Sequence, residues 1–205
     1  MNLSVIELLA AASGLVCVFL ASRAKVLNFW AGYIYTALLF VMFMDKHLYS
    51  SMLLQPVSLI INIFGHYRWT HPKAGEENKR KELIVTLLSN KKRFLHVLMI
   101  VLGAAVWGFI LTQLPKTFNP ARLPYFDAFI TMTILTALYL SAQKKLECWA
   151  AWFTVNVTNS ILYLLAGLVF MPIVSGCYLI LAIMGFITWK RKYKEDLDKK
   201  NYVGN

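Results

Sequence analysis

The feature that most limits this chain is a series of long apolar runs separated by short polar ones. A helix needs about 20 residues to cross the hydrocarbon of a bilayer. Runs of that kind fall near residues 5–22, 26–44, 48–69, 94–113, 125–142, 146–164 and 168–189. Lipid cannot hydrogen-bond a bare backbone, so each run is expected to be a helix. Charged residues make up 15% of the chain, against about a quarter in a soluble domain. The expected fold class is therefore an all-α polytopic membrane protein with seven transmembrane helices. The first run lacks a basic leader and reads as a retained helix, not a cleaved signal.

The net charge of +11 does not point to nucleic acid, because the basic residues gather at the ends of the apolar runs. There they set orientation in the membrane. Alternating the loops across the bilayer puts 18 of the 21 lysines and arginines on one side, leaving Lys46, Lys116 and Arg122 on the other. The N-terminus is thus expected outside and the C-terminus in the cytoplasm. The long charged connection 70–93 is expected to carry a short amphipathic helix, and Pro115, Pro120 and Pro124 punctuate the loop before the fifth run. Cys17, Cys148 and Cys177 show neither a metal nor a disulfide spacing. No phosphate-binding loop is present, and no nucleophile–base pair stands out. We expect no cofactor, no metal and no enzymatic activity.

The two ends of the chain resemble each other weakly. "LASRAKVLNFWAGY" aligns with "LSAQKKLECWAAW", so that Ser22, Lys25, Leu27 and Trp30 face Ser141, Lys144, Leu146 and Trp149. Further on, "GHYRW" aligns with "GFITW", and the offset stays near 120 residues. A shift of four spans returns each copy to the same orientation, which predicts parallel 3+1+3 repeats. Residues 1–69 form the first repeat and 70–124 the connection, a linker helix and an outer loop. Residues 125–189 form the second repeat and 190–205 a basic tail. Transporters built this way place their substrate at the repeat interface near the midplane.

Polar side chains inside a bilayer are costly and must find partners. At 100° per residue, Trp149, Trp152, Asn156, Asn159 and Tyr163 share one face of the sixth run. Ser51, Gln55, Ser58, Asn62, Gly65 and Trp69 share one face of the third. With a rise of about 1.5 Å per residue, Gln55 comes to the depth of Asn156 and Asn159, and Asn62 to that of Trp152. The two faces are therefore expected to converge on one pocket. Pro56 is expected to kink the third run. Trp30, Trp69, Trp149 and Trp189 lie near the basic-side boundary, where tryptophan commonly anchors at headgroups. For Trp69 and Trp189 anchoring is the expected role, while Trp149 fits anchor, gate or ligand. Glu7 and Asp127 are expected to cap helices or stay solvated. A pocket of amides and indoles without a fixed charge lacks the usual partners of phosphate. It suits a planar, hydroxylated ligand, neutral or softly cationic: a nucleoside-like vitamin, a sugar or a purine.

The segment "NFWAGYIYTALLFVMFMDKHLYSSMLLQPVSLIINIFGHYRW" and the segment "ECWAAWFTVNV" resemble the Pnu-type vitamin transporters, in their nicotinamide riboside (PnuC) branch. The motif LY-x-S-x-LLQ-x6-N-x2-G-x3-W stands at Leu48 to Trp69, and E-x-W-x2-W-x3-N at Glu147, Trp149, Trp152 and Asn156. The likeness runs from about residue 5 to 190. It implies a plan similar to the sugar-carrying SWEET proteins, and facilitated diffusion of an unphosphorylated vitamin that a cytoplasmic kinase then traps. It also implies a homotrimer in the bacterial inner membrane. The substrate residues it implies are Gln55, Trp149, Trp152 and Asn156, with Asn62 nearby. Asn159 joins them by its place on the stripe. Thiamine and riboflavin relatives share the architecture, and a substrate-capture subunit of a larger complex is the rival reading.

Overall fold

The computed structural model describes residues 3–45, 49–78, 81–113, 123–165 and 170–203. Residues 46–48, 114–122 with Pro115 and Pro120, and 166–169 lie outside them. Among the described residues seven helices follow in order: α1 (Leu3–Ser22), α2 (Asn28–Asp45), α3 (Tyr49–Thr70), α4 (Asn90–Gln113), α5 (Pro124–Ala142), α6 (Cys148–Leu165) and α7 (Phe170–Val203). The helix α4 begins earlier than expected, and α7 runs on through the basic tail. Four of the described helices, α1, α4, α5 and α7, are long and apolar enough by composition to cross a membrane. Of the other three, α3 and α6 carry the polar stripes, whose amides and hydroxyls lower their hydropathy. The outside is greasy: Leu8 and Phe94 are each 70% exposed. A soluble surface rarely shows such a patch, whereas lipid accepts it.

Helix packing follows the repeat. Within the first half α1 packs on α2 and α2 on α3; within the second, α5 packs on α6 and α6 on α7. Across the seam α3 meets α5 and α1 meets α7, while α4 lies against α5. The two seam contacts are the same contact seen from either half.

Backbone geometry shows the register. Helices α1 and α5 end alike, in left-handed Ala24 (φ 55°) and Lys144 (φ 54°). Around Ala24, Lys25 N donates to Leu20 O and Ala24 N to Ala21 O; Lys145 N and Lys144 N donate in the same way to Leu140 O and Ser141 O. This is the two-bond stop with which many helices close, here without the usual glycine. The offset between these residues is 120 throughout, so Phe29 is the counterpart of Trp149. The letter match at 119, which paired Trp30 with Trp149, follows identical side chains and misses the backbone by one residue.

At the same end the two halves grip each other. Trp69 Nε1 donates to Ser141 O at 3.1 Å and Trp189 Nε1 to Ala21 O at 3.0 Å. These bonds are again 120 residues apart. Trp69, Trp189 and Trp149 pack together and are 3%, 1% and 3% exposed. The expectation that Trp69 and Trp189 anchor at headgroups is overturned, because both indoles turn inward to satisfy carbonyls freed by the helix stops. Only Trp30 of the four is exposed, at 58%.

The connection after α3 also departs from expectation. Residues 71–89, where described, hold no helix; Thr86 instead pairs with Lys145 in a single parallel bridge. Leu83, Val85 and Leu88 are buried and complete the core at this end. A clasp of polar bonds fixes the segment. Lys144 Nζ donates to Leu83 O at 2.7 Å, Lys145 Nζ donates to Thr86 Oγ1 at 2.7 Å, and Glu147 Oε1 accepts from Leu88 N and Arg93. An amphipathic helix here would bury every third or fourth residue, whereas this strand-like segment buries Leu83 and Val85 by alternation.

Two outcomes follow. A methyl on Gly185 would strike the Trp149 indole, whereas one on Gly176 would meet nothing within 4 Å. In detergent Gly185→Ala is expected to lower unfolding free energy by about 1–3 kcal/mol, and Gly176→Ala to raise it by up to about 1 kcal/mol. The second concerns Lys144, which is 5% exposed. Burial first, and then the charge of Lys192, pulls its pKa from 10.5 down to about 8. Between those values the unfolded chain binds the proton and the folded protein does not, so stability rises with pH. Thermal melting from pH 7 to 10.5 is expected to show this rise and to show it flattened in Lys144→Met.

Candidate functional site

On the seam between the repeats lies a cavity of about 60 Å³. All six repeat helices contribute to its wall and α4 contributes nothing. Much of the wall obeys the 120-residue symmetry: Val18 answers Leu138, Ala21 answers Ser141, Phe29 answers Trp149 and Trp69 answers Trp189. The wall contains no charged side chain among the described residues.

Departures from symmetry give the cavity its chemistry. The first repeat has Gly32 and Asn62, whereas the second has Trp152 and Ala182 at the matching positions. Size is thus exchanged between the halves. A methyl on Gly32 would sit 3.6 Å from Asn62 Nδ2 and 3.4 Å from Cys17 Sγ, ordinary contact distances, so this glycine lies directly against the amide and the thiol. On the opposite wall Trp152 Nε1 donates to Ser141 Oγ at 3.2 Å, which fixes the indole. Trp149 differs from the other three: its Nε1 is buried and has no hydrogen-bond partner. Buried donors are nearly always paired, so an unmet one on a cavity wall is a donor held ready. Asn28 also borders the cavity, but its Nδ2 is taken up by Lys25 O at 2.6 Å in the turn that leads into α2.

Of the residues expected from the sequence, Asn62, Trp149 and Trp152 come together on this wall. Gln55 and Asn156 are buried but stand off it, further from the basic end. Their amide nitrogens serve their own helices, Gln55 Nε2 donating to Ser51 O and Asn156 Nδ2 to Trp152 O. Asn159 is half-buried one turn beyond Asn156, and Pro56 is exposed. Nothing is described of the Tyr163 side chain. Glu147, part of the sixth-run motif, is no wall residue: it ties α6 to the clasp and to Arg93 at 2.8 Å. Residues missed by the sequence reading are Cys17, Phe29 and Ser141. Their signal lay in the repeat itself, since two of them are counterparts of residues already singled out or of their carbonyl partners.

The cavity is small beside the roughly 300–1,000 Å³ that holds a typical small-molecule ligand. Three indoles close it toward the basic end, and a ligand of nucleoside size enters only if the seam opens. Trp189→Phe removes a made hydrogen bond, and Trp149→Phe removes none. The former is expected to unfold about 1 kcal/mol more easily than the latter, in parallel thermal or denaturant melts of the two variants.

A family model described as the nicotinamide mononucleotide transporter matches residues 4–191. The nicotinamide riboside transporter PnuC of Escherichia coli is 26% identical over 214 residues, covering 95% of this chain and 88% of the relative. The protein of the same description from Neisseria mucosa is 25% identical over 193 residues, covering 90% and 72%. A crystal structure of the vitamin B3 transporter PnuC superposes with a TM-score of 0.75 at 22% identity, over 94% of this chain and 83% of that one. That likeness establishes the fold.

Proposed function

This chain belongs to the nicotinamide mononucleotide transporter family, and from that premise we propose that it carries nicotinamide riboside across the bacterial inner membrane by facilitated diffusion. One observation carries the choice of substrate: the seam cavity is walled by indoles and amides with no charged side chain. A mononucleotide would bring a phosphate that wants arginine or lysine. A riboside brings a pyridinium ring, a carboxamide and hydroxyls. Indole faces attract a cationic ring, and amides pair with the rest. The names of the curated relatives agree with the unphosphorylated form.

In this reading Trp149 and Trp152 hold the ring, with Trp149 also offering its free N–H, and Asn62 reads polar groups from the facing helix. Gln55, Asn156 and Asn159 lie along the same path toward the other end and take over the substrate as the site opens there. Rocking of the repeat 1–69 against 125–189 gives alternating access. The Trp69–Ser141 and Trp189–Ala21 bonds cross the seam and would part when the basic end opens. The excess of basic loops at that end supports its placement in the cytoplasm. Uniport needs a sink, and phosphorylation by a cytoplasmic riboside kinase supplies it. A homotrimer is part of the same proposal, and the chain itself has no enzymatic role in it.

Uptake of labelled nicotinamide riboside into sealed vesicles tests this. Equilibration without a kinase and accumulation with one enclosed are expected. Failure to equilibrate without the kinase would sink the uniporter. Tighter binding of thiamine would move the chain to another vitamin on the same fold. Trp149→Phe and Asn62→Ala are each expected to weaken binding about 5- to 10-fold, the loss of one hydrogen bond worth about 1–1.5 kcal/mol.

A further inference from the structure

A second cavity, of about 350 Å³, opens at the basic end beside α4 and α5, away from the seam. Its wall is built from the last turn of α3 (Arg68), the first turns of α4 (Lys92, His96), the end of α5 (Tyr139) and the clasp with Lys145. Three fixed cations therefore face one carboxylate, Glu76, leaving a net charge of +2 before any contribution from His96.

The cations are not consumed by one another's partners. Arg68 gives Nη2 to Glu76 Oε2 at 2.7 Å, but its Nη1 is buried and has no hydrogen-bond partner. Lys145 gives one proton to Thr86, and an ammonium has three. Burial lowers its pKa, the positive charge of Lys92 lowers it further, and the carboxylates of Glu147 and Glu76 offset part of this. A site in which cations repel one another and one donor stands unpaired is a site for an anion. Apolar surface adjoins it on α4, where Phe94 is 70% and Leu95 51% exposed. A free anion has no use for that surface, whereas acyl chains do. Basic pockets between helix ends at the cytoplasmic face bind lipid headgroups in this way.

We propose that this cleft binds a phosphate group, and that its occupant is the headgroup of an anionic phospholipid. Arg68 and Lys92 contact the phosphate oxygens, and the chains lie along the outer face of α4. Headgroup binding would thereby brace the clasp that closes the basic end. The proposal is independent of the substrate assigned to the seam cavity.

The test uses the full chain in a nonionic detergent, with melting temperature read after adding phosphatidylglycerol, phosphatidylcholine or inorganic phosphate. Phosphatidylglycerol is expected to raise the melting temperature and phosphatidylcholine to leave it unchanged. Lys92→Gln should lose most of the rise. Lys91→Gln, which removes the same charge from the neighbouring residue outside the cleft, should keep it. Because Arg68→Gln also breaks the Glu76 pair, native mass spectrometry of retained phosphatidylglycerol reports on that variant without relying on its melt. An equal rise with inorganic phosphate, lost in Lys92→Gln, would overturn the lipid occupant in favour of a soluble phosphate. No preference for phosphatidylglycerol, or the same rise in both lysine variants, would overturn the site.

Discussion

Two indole N–H groups 120 residues apart hold the halves of this protein together at one end. Trp69 reaches the carbonyl of Ser141, and Trp189 that of Ala21. Each of those carbonyls already receives an amide from the left-handed residue three positions later. Both lone pairs are thus used where a helix end would otherwise leave them unmet in a dry interior. The stop of α1 and Trp189 of α7 depend on each other, as do the stop of α5 and Trp69 of α3. The aromatic cluster, the seam cavity and the placement of α2 and α6 all follow from this exchange.

A symmetric scaffold cannot by itself recognise an asymmetric molecule. Here the backbone stays symmetric while side chains at two matched positions break the symmetry. Gly32 and Asn62 of the first half answer Trp152 and Ala182 of the second. An amide thus ends up on one side of the seam and a bulkier indole on the other. That division yields two chemically distinct walls without disturbing the packing that both halves need.

The basic end combines three tasks in a short stretch. Lys144 and Lys145 begin as the loop of a helix stop, yet their side chains reach the clasp and secure it. Glu147 then binds the clasp's last amide and Arg93. The clasp buries Leu83 and Val85 over the tryptophans, so the charged connection is a lid on the core and not a mere tether.

Seven helices, their parallel repetition and the stripes with Asn62, Trp149 and Trp152 were legible in the sequence. Span length, loop charge and helical periodicity are local properties that need no knowledge of neighbours. The site was legible in part. Periodicity put Gln55 and Asn156 on single faces of their helices, and both are buried, but whether they reach a cavity depends on how far apart those helices stand. The same limit applies to Trp69 and Trp189: a tryptophan beside basic residues at a helix end can turn to headgroups or inward, and local sequence does not distinguish the two. Tertiary structure decided it, because the carbonyls that these indoles satisfy lie on helices 72 and 168 residues away. The clasp was hidden for the same reason. Its single bridge to Lys145 exists only once α5 and α6 have brought that loop alongside.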